Sequence, residues 1–125
     1  MTYDISISEN GKYIICRVMG PMTVNTAQEF AKEMDSLSRA KNIKRFLYDV
    51  REAPNTSANY KNYQYAYQDM DDLGLQRDVR SAILADPADT SHDFVGTVAQ
   101  NAGFNVRVFH DEGAAIAWLN GERSK

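Results

Sequence analysis

The sequence has few of the features that would tie it to a membrane or to an oxidising compartment. Its one cysteine, Cys16, cannot form an internal disulfide and fits a reducing cytoplasm. No apolar run approaches the ~20 residues needed to span a bilayer. The N-terminus lacks the basic segment and apolar run of a signal peptide. We therefore expect a cytoplasmic protein without a transmembrane segment.

Basic residues are also fewer than acidic ones. The chain has 14 Lys and Arg against 17 Asp and Glu, a formal net charge of −3. Nucleic acids and anionic membrane surfaces are bound through a basic patch. The composition therefore predicts no nucleic-acid partner. We expect its 125 residues to form a single domain, residues 1–125, large enough to bury a core without disulfides or metal.

The first part of the chain predicts two antiparallel strands. Tyr3, Ile5 and Ile7 alternate with polar residues, which indicates a half-buried strand over residues 2–8. Asn10 and Gly11 then form a strong hairpin signal. A nearly continuous apolar strand follows over residues 13–19.

Strand and helix signals then alternate. Thr26 and Glu29 form a capping-box pattern that predicts a helix to about Ala40. Later helices are predicted to begin at Thr90 or Ser91 and at Asp111. The strands predicted between these helices cover residues 43–50, 79–85 and 106–109. The first two have little alternation, as expected of parallel strands buried on both faces.

A tyrosine-rich helix is predicted over residues 57–73, capped by Thr56 or Ser57 and closed by Gly74 in the left-handed conformation. The element order is therefore ββαβαβαβα. It predicts an α/β domain with one mixed sheet, an N-terminal antiparallel hairpin and then parallel βα units. Right-handed crossovers should distribute the helices over its faces.

Several short segments, in this order and at this spacing, resemble the bacterial STAS-like, SpoIIAA-like proteins, a group related to anti-sigma-factor antagonists. The segments cover most of the chain: LYDVR (47–51), LGL (73–75), RSAIL (80–84), FVGTV (94–98), NAGF (101–104), VRVF (106–109) and AWL (117–119). The resemblance implies a regulatory or binding domain, often a homodimer, with no established chemistry.

In the best-known members of that group, a serine at the start of the helix after the third strand is phosphorylated by a partner kinase. The residue that matches it by position is Ser57. Here no Asp directly precedes the Thr56–Ser57 pair, no Gly follows it, and the loop after Asp49 is longer than in those relatives. The resemblance therefore implies possible phosphorylation of Ser57 by position rather than by motif.

Polar residues follow two neighbouring parallel strands, where ligands of open α/β sheets gather. A polar rim that holds an anion or a protein partner at two helix N-termini is one interpretation. The other is that Asp49 and Arg51 form a structural pair and that the hydroxyl residues only cap helices. The rim comprises Asp49, Arg51, Thr56, Ser57, Asp86, Asp89 and His92.

The tyrosines are the least ordinary feature of the sequence. Tyr60, Tyr63 and Tyr67 share one predicted helix face, which either packs on the sheet or lines a pocket or an interface. Tyr65 is predicted on the opposite, polar side. It is the best single candidate for a contact with another chain.

Signals for catalysis and for metal are weak. Asp86, Asp89, His92 and Asp93 form a loose acidic cluster that matches no metal-binding spacing. The chain has no Gly-x-Ser-x-Gly elbow beside either histidine. Cys16 lies among apolar residues and is expected to be a buried, unreactive thiol. We predict no catalytic residue, no metal and no cofactor.

Three functional hypotheses follow. The first is a non-catalytic regulatory domain that binds a protein partner and is a homodimer. The second is a domain that binds a small apolar, lipid-like ligand between the tyrosine-rich helix and the sheet. The third is a small hydrolase that uses Asp49, Asp86 or His92 as acid or base.

Overall fold

A computed structural model describes residues 2–57, 59–70, 73–76 and 78–121 of the chain. Its elements follow the predicted order. They are β1 (Thr2–Ile7), β2 (Ile14–Met19), α1 (Val24–Lys41), β3 (Arg45–Glu52), α2 (Asn59–Gln64) with its π-helical continuation (Tyr65–Asp69), β4 (Arg80–Leu84), α3 (Asp93–Asn101), β5 (Asn105–Phe109) and α4 (Glu112–Leu119). No helix among these residues is long and apolar enough to cross a membrane.

The strands form one mixed sheet whose spatial order, β1-β2-β3-β4-β5, repeats their order in the chain. β1 and β2 are antiparallel, and every later neighbour pair is parallel. In the turn between these two strands Gly11 has a φ of 71°, a left-handed conformation that glycine adopts readily. The predicted α/β architecture is confirmed.

The helices cover the two faces of the sheet unequally. In β3, Phe46 and Val50 pack in the cluster that contains α1, whereas Leu47 packs with Ala115 and Leu119 on the opposite side. We call these sides the three-helix face, covered by α1, α2 and α3, and the α4 face. Each parallel crossover moves one strand in the same direction, so a constant hand places all three crossover helices on one face.

The start of α1 differs from the prediction. Thr23 is the N-cap, and Thr26 lies three residues into the helix rather than at its cap. The Thr23 and Thr26 side chains each accept from the other's backbone N–H, at 3.4 and 3.1 Å. The helix therefore begins at Val24, whose side chain is buried in the core.

The cap predicted for α3 is also wrong. His92 occupies the N-cap position without a side-chain cap, and the Ser91 hydroxyl instead accepts from the backbone N–H of Asn55 at 2.9 Å. The Asp111 cap of α4 is confirmed, since its carboxylate accepts from the N–H of Ala114 at 2.8 Å. The left-handed conformation predicted for Gly74 is confirmed by its φ of 69°.

Candidate functional site

The polar residues predicted at the carboxyl edge fall into separate groups. Asp49 and Arg51 lie on the α4 face, whereas Ser57 contacts the start of α1 on the three-helix face. Asp86 stands apart from both: its carboxylate accepts from the N–H of Ala88, and its carbonyl oxygen accepts from His110 Nδ1 at 3.1 Å. The structure therefore does not bring the predicted rim together as a single site.

Asp49 and Arg51 form a bidentate ion pair. Arg51 donates from Nε to Asp49 Oδ1 at 3.0 Å and from Nη2 to Oδ2 at 2.8 Å. Arg51 also reaches Glu112, in the first turn of α4, at 3.3 Å. Burial by itself would raise the pKa of Asp49, but the hydrogen bonds and charge of Arg51 outweigh it and lower that pKa. This arrangement fits the structural interpretation of the pair.

Ser57 has a role that the sequence did not predict. Its hydroxyl oxygen accepts from the backbone N–H of Val24, the first residue of α1, at 2.8 Å. Its N–H donates to the Asn55 side chain at 3.0 Å, and its carbonyl accepts from Asn62 at 3.4 Å. The prediction that Ser57 caps the tyrosine-rich helix is wrong, because it binds the N-terminus of α1 instead.

Thr56 does not cap that helix either. Its hydroxyl and its N–H both donate to the carbonyl of Met22, at 3.0 and 2.8 Å. Met22 in turn donates its N–H to Pro54 at 2.8 Å, so that the loop after β3 pairs like a short strand with the segment before α1. The loop is held by backbone pairing, and the exposed Thr56 marks its outer side.

His92 is a buried structural residue. Its side chain is 1% exposed, and its Nε2 donates to the carbonyl of Ala53 at 2.8 Å. Desolvation lowers the pKa of His92, although the Ala53 carbonyl and Asp89, 3.8 Å away, favour the charged form. A neutral imidazole in this position ties the loop after β4 to the loop after β3 and does not reach a substrate at the surface.

Asn62 is an important residue that the sequence analysis missed. It is 3% exposed, although it lies in a helix whose buried face was assigned to tyrosines. Its Oδ1 accepts from Asn55 Nδ2 at 3.0 Å, and it reaches Ser57 as described above. We call Val24, Asn55, Ser57 and Asn62 the Ser57 network. No sequence signal identifies it, because its members are brought together by tertiary contacts.

Tyr65 lies on the inner side of its helix, contrary to the prediction. It is half-buried and packs against the core cluster that includes Phe46. At this point the helix widens into a π turn, in which the N–H of Met70 donates to the carbonyl of Tyr65. The extra residue in the turn changes the face that each side chain occupies. The predicted face of Tyr60, Tyr63 and Tyr67 lies outside the side chains that the structure describes.

A cavity of about 120 Å³ lies between the three-helix face and its helices. Its wall is mostly apolar and comes from α1, the sheet, the π turn and α3. Polar residues also join this wall, among them Tyr48, Asn62, Tyr65 and His92. The second hypothesis predicted an apolar pocket between the tyrosine-rich helix and the sheet, and the cavity lies at that place.

The described residues contain no group of three or more His, Cys, Asp or Glu side chains that could hold a metal ion. In the acidic cluster considered above, Asp89 accepts from the N–H of Ser91 at 2.8 Å, and Asp93 faces His110 at 3.9 Å. Cys16 is fully buried, and desolvation raises the pKa of its thiol to about 12.

No protein-family model and no curated protein matches the chain. Solved structures do match it, and three of them share its fold over more than nine tenths of its length. An uncharacterised DUF3478-family protein from Shewanella loihica PV-4, described as having a SpoIIAA-like fold, superposes with a TM-score of 0.57 at 18% identity, over 94% of this chain and 92% of that one. The chain has a SpoIIAA-like fold.

Two structures of the anti-sigma factor antagonist SpoIIAA itself agree. The unphosphorylated form gives a TM-score of 0.53 at 14% identity, covering 96% of this chain and 99% of that one. The phosphorylated form, from Bacillus, gives 0.54 at 12% identity over 94% and 99%. The STAS-like, SpoIIAA-like resemblance seen in the sequence is confirmed for the fold, which alone does not assign a function.

Proposed function

We propose that this SpoIIAA-like domain is a non-catalytic regulatory module that binds a protein partner through the loop carrying Thr56 and Ser57. The observation that carries the proposal is the Ser57 hydroxyl, which binds the first N–H of the 18-residue helix α1. The fold gives further support, since SpoIIAA exists in unphosphorylated and phosphorylated forms. A change at Ser57 acts on a helix start and on the exposed loop together.

The residues considered as catalytic acids or bases are engaged in other contacts, which supports a non-catalytic role. Asp49 is engaged by Arg51, and His92 is buried against Ala53. Asp86 contacts neither of these residues and binds its own loop. A hydrolase needs a nucleophile, a base and an orienting acid in mutual contact. Asp49, Asp86 and His92 do not form such a group, which weighs against the hydrolase hypothesis.

Phosphorylation of Ser57 is the change we propose as the switch. A phosphate adds about −1.5 to −2 charges, and a helix N-terminus favours negative charge. The bulk of the phosphate must also displace the contact between the Ser57 hydroxyl and Val24. The loop would then present a charged and rearranged surface to its partner.

Affinity purification from a lysate of the native host cells tests the proposal. Wild type, Ser57→Asp and Ser57→Ala serve as baits, with Ser36→Asp, at an exposed position of α1, as the matched control. We expect at least one partner to change about tenfold in abundance with Ser57→Asp, which corresponds to ~1.4 kcal/mol of binding free energy. The control should bind as wild type does. Identical partner sets for all four baits would refute the proposed switch.

We propose that a second copy of the chain is one of the partners. β1 is an edge strand of the sheet, and Ile7 at its end is 39% exposed. An unpaired strand edge with an exposed apolar side chain is a template for pairing between chains. Sedimentation equilibrium should report a dimer for wild type and a monomer for Ile7→Lys. A wild-type monomer at all concentrations would contradict this part of the proposal.

Binding of a small apolar ligand is a second candidate function, and the cavity favours it. Sites for drug-sized ligands have volumes of about 300–1,000 Å³. The cavity of about 120 Å³ is smaller than this range and is too small for a long acyl chain unless the helices move apart. The expected ligand is therefore a small molecule rather than a lipid. Native mass spectrometry and thermal shift across a metabolite panel test it, and the absence of any bound mass or shift counts against it.

A further inference from the structure

The size of the cavity on the three-helix face sets the size of its ligand. Its volume is about 120 Å³. An apolar cavity of about 150 Å³ in another protein stays dry and binds benzene. The volume therefore fits a single six-membered ring with few substituents, and a single water molecule would leave most of it empty.

The wall of the cavity favours an apolar ring. Phe30 from α1, Phe46 from β3 and Ala99 from α3 are each about 5% exposed or less and line it on different sides. An apolar ligand that moves from water into such a cavity gains about 25 cal/mol for each Å² it buries. It also gains the dispersion contacts that the wall atoms lack while the cavity is empty.

Two tyrosines add a polar element to this wall. The Tyr48 and Tyr65 rings both line the cavity, and neither hydroxyl forms a hydrogen bond within the described residues. Burial is the main cause that raises the pKa of both phenols, and Tyr65 adds to the shift at Tyr48. Both hydroxyls therefore remain protonated at neutral pH and can donate as well as accept.

We propose that this cavity is a binding site for a small aromatic molecule that carries one hydrogen-bonding group, with phenol as the simplest example. The ring fills the apolar part, and the polar group exchanges hydrogen bonds with the hydroxyls of Tyr48 and Tyr65. The inference rests on the second candidate function, ligand binding, and adds to it the chemical class of the ligand and the residues that select it.

The site also adjoins the Ser57 network. Val24, Asn55 and Asn62 belong to both the cavity wall and that network. A ligand in the cavity therefore lies against the residues that position Ser57. The backbone amide signals of Val24 and Ser57 provide a local readout of occupancy that does not depend on knowing the biological ligand.

Phenol and benzene are the matched probes, titrated into ¹⁵N-labelled protein and followed by NMR. We expect saturable shifts at Val24 and Ala99 with both probes, and a Kd for phenol about 3- to 10-fold lower than for benzene, as one or two net hydrogen bonds provide. Tyr65→Phe should reduce that preference. The control Tyr13→Phe, at a buried tyrosine of the α4 face, should leave it unchanged.

The results of this titration distinguish a wrong ligand class from the absence of ligand binding altogether. If both probes bind equally well and Tyr65→Phe changes neither Kd, the assigned ligand class is wrong although the cavity binds ligands. If neither probe causes saturable shifts at millimolar concentration, both the ligand class and the ligand-binding function fail. Ala99→Leu, which fills the cavity, must abolish binding. If it does not, the probes bind elsewhere and the inference is overturned.

Discussion

The two faces of the sheet are built differently. On the α4 face one helix packs on the sheet through Ala115 and Leu119, which are fully buried. Its C-terminal carbonyls are bound by Arg45 and Arg80, at 2.6 and 2.7 Å. The three-helix face encloses a cavity instead, and buried neutral polar side chains such as Asn62 and His92 line it. This difference indicates that the α4 face serves mainly stability and that the three-helix face carries the candidate binding sites.

The carboxyl edge of the sheet repeats the contrast. On the α4 side, Asp49, Arg51 and Glu112 satisfy one another's charges. On the three-helix side, the Ser57 network consists of neutral groups, and each contacting pair in it is joined by one hydrogen bond. A neutral network at a helix N-terminus responds more strongly to an added charge than does an arginine already paired with carboxylates.

Truncation of matched leucines on the two faces should give the largest effect. Leu119→Ala removes a fully buried side chain and should lower the free energy of unfolding by about 2–5 kcal/mol. Leu75→Ala, at a half-buried residue that lines the cavity, should lower it by about 1–2 kcal/mol, because that side chain has fewer contacts to lose. Urea denaturation measures both. Equal losses would show that the two faces are packed alike.

The fold could be predicted from the sequence because its signals are local. The alternation of Tyr3, Ile5 and Ile7, the Asn-Gly hairpin and the apolar strands each reflect a period or a turn within a few residues. Predicted and observed strand ends differ by at most two residues. The unequal covering of the faces required the spatial order of the strands, which no short window contains.

The candidate site could not be predicted in the same way. The contact of Ser57 with Val24 joins residues 33 positions apart, so the local spacing indicated a cap on the wrong helix. Tyr65 was assigned to the outer face from a period of 3.6, which the π turn interrupts. One of the two interpretations did predict the pair of Asp49 and Arg51. That contact is local, because the two residues lie two positions apart on one strand and share a face.

Two glycines, one in a helix on each face, differ in the space around them. A Cβ at Gly96, in α3, would lie 2.8 Å from Val108 Cγ2, whereas one at Gly113, in α4, would have 3.4 Å to its nearest neighbour. Gly96→Ala should therefore destabilise the protein by about 1–3 kcal/mol through overpacking. Gly113→Ala should be neutral or stabilising by up to about 1 kcal/mol, because alanine favours the helix. Thermal unfolding distinguishes them, and a stable Gly96→Ala variant would mean that α3 shifts readily on the sheet.

The ion pair on the α4 side should give a smaller effect that depends on pH. The folded-state pKa of Asp49 is lowered, so its contribution to stability is present above the unfolded-state pKa of about 3.9 and is lost as the pH falls through the folded value. Arg51 is 41% exposed, so solvent screening limits the loss in Asp49→Asn to about 1 kcal/mol at pH 7.

Urea denaturation of Asp49→Asn and wild type at pH 7 and at pH 2.5 measures this contribution, and the difference between them should shrink at the lower pH. Glu52→Gln is the control, since Glu52 pairs with Arg17 at the surface and should contribute less than about 0.5 kcal/mol at either pH. A difference for Asp49→Asn that does not change with pH would show that the carboxylate acts through packing. In that case charge would not be the property that distinguishes the α4 side of the carboxyl edge from the neutral Ser57 network.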